Sequence, residues 1–263
     1  MFVHTLWISG RGFTVSPGFV TVVAATVVYY NFHKFSYRIT SLNPVSIFRM
    51  VTDPSVNPAE SATILMGGIV FTMSIFAMDW HAILVWLAMI VLSLSYTFPL
   101  SLGRNSGKRL REFPWLKPVL VAAVWAVVTV ILPLMENKIL LLNGEWMTFL
   151  LARFALVLAL CIPFEIRDQL KERNRAVPSL MDYGKNMVFL STILLVAAAA
   201  LAVLLESHIM SKGAGVVASL LVPLLLSLVW MFCARADWPR WVFKFGVDGT
   251  MGLPWLLLIL TAC

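Results

Sequence analysis

Apolar residues in this chain run in blocks of about twenty, and the polar residues collect between the blocks. The blocks cover residues 17–34, 62–79, 82–100, 114–134, 147–165, 186–206, 214–234 and 241–262. At a rise of about 1.5 Å per residue, helices of this length match a hydrocarbon core about 30 Å thick. The pattern predicts an all-α fold, a polytopic transmembrane helical bundle of about eight spans. No long polar stretch is left over, so residues 1–263 are expected to form a single helical-bundle domain. Residues 1–10 are apolar but too short to span, and no basic segment precedes them as in a signal peptide.

Composition agrees with this pattern. The chain is 60% hydrophobic and 13% charged, and its mean hydropathy of +0.88 is far from that of soluble domains. Cys161, Cys233 and Cys263 lie in or beside apolar blocks without metal-ligand spacing and read as small core residues.

The net charge of +7 is distributed unevenly. Loops after alternate blocks hold Lys34, Arg38 and Arg49, then Arg104, Lys108, Arg109 and Arg111, then Arg167, Lys171, Arg173, Arg175 and Lys185, then Arg235, Arg240 and Lys244. The opposite loops hold little beyond Lys138 and Lys212, with Arg11 near the N-terminus. The positive-inside rule puts the first set on the cytoplasmic side. Such a rim serves topology, binds anionic lipids or attracts a diphosphate. Membrane lipids are expected partners, and nucleic acid is not.

The block at 147–165 runs into Phe164-Glu165-Ile166-Arg167-Asp168-Gln169-Leu170-Lys171-Glu172-Arg173. On a continuing helix, at about 100° per residue, Glu165, Asp168 and Glu172 fall within roughly 60° of one another. Three carboxylates on one stripe repel by a few kcal/mol per close pair at an effective dielectric near 20, so the stripe calls for a cation or basic partners. Mg²⁺ carrying a diphosphate would satisfy it. So would Arg167, Lys171, Arg173 and Arg175 on an ordinary solvated helix end.

Three further charged residues lie inside apolar blocks. Lys117 sits one turn into its block and either snorkels or points into a cavity. Arg153 lies about two turns from the far-side end of its block, within snorkelling reach, although intramembrane arginines are functional candidates. Asp248, between Gly246 and Gly249, is costly unless paired, protonated or facing a cavity, and reads either as a structural contact or as a site residue.

Taken together, these motifs resemble the UbiA superfamily of intramembrane prenyltransferases. In that family an Asn-Asp-x-x-Asp-type motif closes one helix and a second acidic motif closes another about four spans later. Here Asn31 ends the first block, and Glu165-Ile166-Arg167-Asp168, then Glu172-Arg173, then Val177-Pro178-Ser179-Leu180 match the second motif. Glu165 and Glu172 replace aspartates and keep the carboxylate. Tyr96 with Pro99 and the basic residues after them resembles the family's Tyr-x-x-Pro-basic segment. In detail the chain is similar to a bacterial UbiA-like branch through Tyr30-Asn31-Phe32, Leu110-Arg111 to Leu116-Lys117, and Ile162-Pro163-Phe164-Glu165-Ile166-Arg167-Asp168.

The resemblance implies transfer of a prenyl group from a prenyl diphosphate to a lipid-soluble acceptor with Mg²⁺, in a bacterial inner membrane with the acidic motif on the cytoplasmic side. The enzyme class implied is a transferase of alkyl or aryl groups other than methyl. It assigns catalytic roles to Asp168, Glu172 and Tyr96, and substrate contacts to Asn31, Arg111, Lys117, Arg167 and Arg173. The metal ligands would be Glu165, Asp168 and Glu172.

The chain departs from the family pattern at Phe32 and Phe35, where aspartates are expected. That departure admits an alternative, a catalytically inactive UbiA-like protein that binds lipid or acts as a scaffold. The family usually has nine helices, so a first span is expected to be missing or truncated.

Overall fold

The structure, a computed structural model, describes residues 1–10, 15–35, 58–97, 116–139, 144–174, 184–210 and 213–262. Among the described residues the ordered elements are helical, with no strand. They are α1 (Phe2–Ile8), α2 (Pro17–Phe35), α3 (Pro58–Phe76), α4 (Trp80–Thr97) and α5 (Leu116–Ala126), which continues through a π-helical turn (Val127–Ile131) into α6 (Leu132–Glu136). After these come α7 (Gly144–Asn174), α8 (Lys185–Met210) and α9 (Ala214–Cys233). A π segment (Val242–Val247) and a 3₁₀ turn (Asp248–Met251) then lead into α10 (Leu253–Ala262).

Each of the eight predicted spans carries helix. Among the described residues, five helices are long and apolar enough to cross a membrane, or up to six if the bent pair Val242–Met251 and Leu253–Thr261 is one span. The protein is an integral membrane protein. The last span, read from the sequence as one helix, is instead broken by 55°. Gly246, Gly249 and Gly252 remove side chains that would hold a regular helix there, and Pro254 begins a new one.

Contacts divide the chain into two compact units, Met1–Phe13 with Glu112–Cys263, and Thr14–Arg111. In the first unit α7 packs against α5, α8 and α9. Ala152, Ala155 and Ala159 form a small-residue stripe on α7 that lets helices approach closely. Around it gather Leu156 and Leu160 from α7, Val196, Ala199 and Val203 from α8, Leu224 from α9, and Phe243 and Val247 from the π segment. The run Ala197–Ala200 contributes Ala199 to this core, while Cys233, expected inside, is exposed. Pro163 and Pro223 lie within α7 and α9, where neighbouring helices make such residues tolerable in a membrane.

In the second unit α2 packs against α3. Gly67 permits that approach, because a Cβ there would stand 2.8 Å from Cγ2 of Val28. Phe71 meets Trp86 edge-on at 5.5 Å between ring centroids, joining α3 to α4.

Candidate functional site

The helix that carries the acidic run does continue. α7 extends unbroken from Gly144 to Asn174, so the positions of Glu165, Asp168 and Glu172 lie on one helix as the stripe requires. Pro163 does not end it.

Glu165 is buried within the first unit and forms an ion pair with Lys117 of α5, Nζ to Oε1, at 2.8 Å. Their side chains are 19% exposed for Lys117 and 4% for Glu165, so the acid is the more deeply buried of the two. Lys117 therefore turns inward instead of snorkelling. This placement follows from the packing of α5 on α7, with Lys117 on the first turn of α5.

One turn along α7, Arg167 binds its neighbour Asp168 through two hydrogen bonds, Nε to Oδ1 at 2.9 Å and Nη2 to Oδ2 at 3.2 Å. The guanidinium also lies 5.0 Å from the ring centroids of both Phe164 and Phe243. A planar cation is held well by such faces. Phe243 itself is fully buried and belongs to the π segment. That segment is a one-turn irregularity of the kind frequent at functional sites, and it carries Lys244 as well.

Asp248 joins the same neighbourhood, within electrostatic reach of Arg167 and Lys244. Sequence reasoning left it open between a structural contact and a site residue. The available signal was a lone acid between two glycines in an apolar block.

Of the residues predicted for the site, Lys117, Glu165, Arg167 and Asp168 come together here. Glu172 and Arg173 are on the last turns of α7, and their side chains lie outside the described residues. Arg111 lies outside them altogether. Asn31 and Tyr96 belong to the second unit, on α2 and α4. The side-chain amide of Asn31 donates to the carbonyl of Val27 at 2.8 Å. The side chains of Tyr96, Phe32 and Phe35 are outside the described residues.

Magnesium demands near-octahedral oxygen ligands at about 2.0–2.1 Å. The two acids described here already hold cationic side chains, and among the described residues no group of three or more His, Cys, Asp or Glu could hold a metal. A dication beside the Lys117 ammonium would also be repelled, by about 4 kcal/mol per unit charge product at 4 Å and an effective dielectric of 20. Glu172, the third acid that the resemblance assigns to the metal, has its side chain outside the described residues, and the described residues alone supply no Mg²⁺ site.

A second polar centre lies deeper in the first unit. Arg153 is 1% exposed, so it does not snorkel. Its Nη2 donates to Nδ1 of His4 on α1, and its guanidinium lies 5.0 Å from the Phe149 ring. His4 stacks on Phe149 at 5.5 Å and reaches Oγ of Ser219 with Nε2 at 2.8 Å. Thr5 donates to the carbonyl of Thr129 in the π turn at 2.6 Å. Nothing in the apolar pattern of residues 1–10 signalled that His4 would be the partner of Arg153.

No protein-family model matches the chain, and no curated protein matches it in sequence. Among solved structures, the chain is similar to the apo structure of a UbiA homolog from Aeropyrum pernix K1, at 16% identity and a TM-score of 0.62. The likeness covers 100% of this chain and 96% of that one. This integral membrane protein therefore shares the fold of that UbiA homolog.

Proposed function

We propose that the protein is a UbiA-type intramembrane transferase that moves a prenyl group from a prenyl diphosphate to a lipid-soluble acceptor. Its place would be a bacterial inner membrane, with the acidic end of α7 on the cytoplasmic side. The observation that carries this reading is the convergence of Lys117, Glu165, Arg167 and Asp168 at one end of an apolar helix, in a chain with the fold of a UbiA homolog. An amphiphile with an anionic head and an isoprenoid tail suits a charged cluster at the end of an apolar bundle.

In this reading Lys117 and Arg167 meet phosphate oxygens, Arg167 as a flat fork and Lys117 as a point charge. The C–O bond of the allylic diphosphate breaks, the diphosphate leaves with the bonding pair, and the acceptor attacks the allylic cation. The acceptor's proton passes to a carboxylate, for which Asp168 is placed on the same turn as Arg167. Arg111, Arg173, Asn31 and Glu172 are further contacts suggested by the resemblance, and Tyr96 is the aromatic suggested beside the cation.

The test is incubation of purified protein with labelled prenyl diphosphates and a membrane lipid extract. Transfer of label that is lost in Asp168→Ala supports the reading. Binding of the diphosphate without transfer favours the second reading, a lipid-binding or scaffold protein. Phe32 and Phe35, in positions where aspartates are expected, speak for that second reading.

A further inference from the structure

We propose that the outer face of residues 235–245, the turn after α9 and the helical stretch it leads into, docks the headgroup of an anionic phospholipid together with the first turn of α8. The inference does not depend on the prenyl-transfer reading.

The order of side chains is its first support. Arg240 and Lys244 are four residues apart, as are Trp241 and Phe245, and the stretch that carries them is helical. Each pair therefore lies along one face, and a cationic stripe runs beside an aromatic one. All four residues are exposed, Trp241 at 63% and Phe245 at 77%. Such rings suit the boundary between acyl chains and headgroups, while the longer stems of Arg and Lys reach out to phosphate.

A second set of groups adjoins from α8. Nζ of Lys185 lies 5.3 Å from the centre of the Phe189 ring, and Phe189 meets the exposed Phe232 of α9 edge-on at 6.0 Å. Phe232 is three residues before Arg235, which is exposed as well. Lys185, Arg235, Arg240 and Lys244 thus come to this edge with one exposed acid among residues 235–245, Asp237. Lys244 also acts on the half-buried Asp248, so the other three cations are the cleaner probes. A surface of this sign attracts phosphatidylglycerol or another anionic lipid, and a zwitterionic headgroup gains far less from it.

The cations are carried on a fixed support. Trp230 of α9 meets Trp238 edge-on at 5.9 Å and donates from Nε1 to Thr250 at 2.9 Å. Trp238 in turn lies 6.1 Å from the buried ring of Phe243. Gly246 lets the stretch come up against Trp230, where a Cβ would stand 2.7 Å from the indole. A lipid arriving at this face finds the backbone behind its cations already packed, which lowers the ordering cost of binding.

Native mass spectrometry of the purified full chain in detergent, titrated with phosphatidylglycerol and with phosphatidylcholine, tests the inference. The wild type is expected to prefer phosphatidylglycerol by at least about fivefold, and the preference should shrink when ionic strength is raised. Arg235→Gln with Arg240→Gln should bring it below about twofold, and adding Lys185→Gln should abolish it. The control is Arg104→Gln with Lys108→Gln, which removes the same charge from another basic loop and should leave the preference within about 1.5-fold of wild type. Trp241→Ala with Phe245→Ala should weaken both lipids alike, because the rings meet acyl chains whatever the headgroup. These positions are exposed, so the variants are expected to fold. Equal binding of the two lipids by the wild type, an equal loss in the control pair, or unchanged binding in Trp241→Ala with Phe245→Ala overturns the inference.

Discussion

The ammonium of Lys117 stands 2.8 Å from Oε1 of Glu165, joining the first turn of α5 to α7. Breaking a buried pair from one side leaves an uncompensated charge, which costs about 3–5 kcal/mol. Lys117→Met is therefore expected to lower unfolding stability in detergent by about 3 kcal/mol. The double variant Lys117→Met with Glu165→Gln should lose less than that single variant. A denaturant-unfolding cycle checks this, and purely additive losses would contradict the coupling.

Arg167 should not tolerate Lys. The fork to Asp168 and the flat contact with Phe164 and Phe243 both depend on a planar guanidinium. Arg167→Lys keeps the charge and is expected to weaken prenyl-diphosphate binding by about three- to tenfold, roughly 1 kcal/mol. Titration with the same ligand used for wild type measures it.

His4 has its tautomer set by its neighbours. A guanidinium only donates, so Nδ1 of His4 accepts from Arg153 and Nε2–H donates to Ser219, whose hydroxyl donates on to the carbonyl of Val216. Ring ¹⁵N shifts should report a neutral Nε2–H imidazole. His4→Leu removes the acceptor from a buried cation and should cost at least about 2 kcal/mol in unfolding stability.

Gly246 and Gly249 stand on the same broken segment yet differ in surroundings. A Cβ at Gly246 would lie 2.7 Å from the indole of Trp230, whose Nε1–H donates to Thr250 at 2.9 Å. A Cβ at Gly249 meets nothing within 4 Å. Gly246→Ala is expected to destabilise by about 1–3 kcal/mol through forced repacking, while Gly249→Ala is neutral or slightly stabilising. Paired thermal-unfolding scans separate the two.

The helices were legible because a membrane span needs a long apolar block, and such blocks cannot be mistaken for strands in this chain. A helix continuing beyond residue 165 was the condition under which Glu165, Asp168 and Glu172 share a stripe, and α7 meets it by running through Pro163 to Asn174. The 55° break near Gly252 was not read, since apolar composition is the same on either side of a bend. Side-chain direction was harder still. In a membrane helix all faces are apolar, so periodicity does not say whether Lys117 or Arg153 snorkels or turns inward. Only tertiary neighbours decide that: Glu165 lies 48 positions along the chain from Lys117, and His4 lies 149 positions from Arg153. The acids of the site were found from the sequence, with Arg167 among the basic neighbours offered to neutralise them, but Lys117 as the partner of Glu165 was not.

The bonds of His4 have a consequence for assembly. One joins α1 to α7 across 149 residues, and the other joins it to α9 across 215. Helices that enter a bilayer one after another would leave the His4 imidazole without Arg153 until α7 arrives, and without Ser219 until α9 arrives. The first unit would then close late and cooperatively, with α1 as its latch. A chain truncated before α9 should hold α1 loosely, even though every residue of α1 is present.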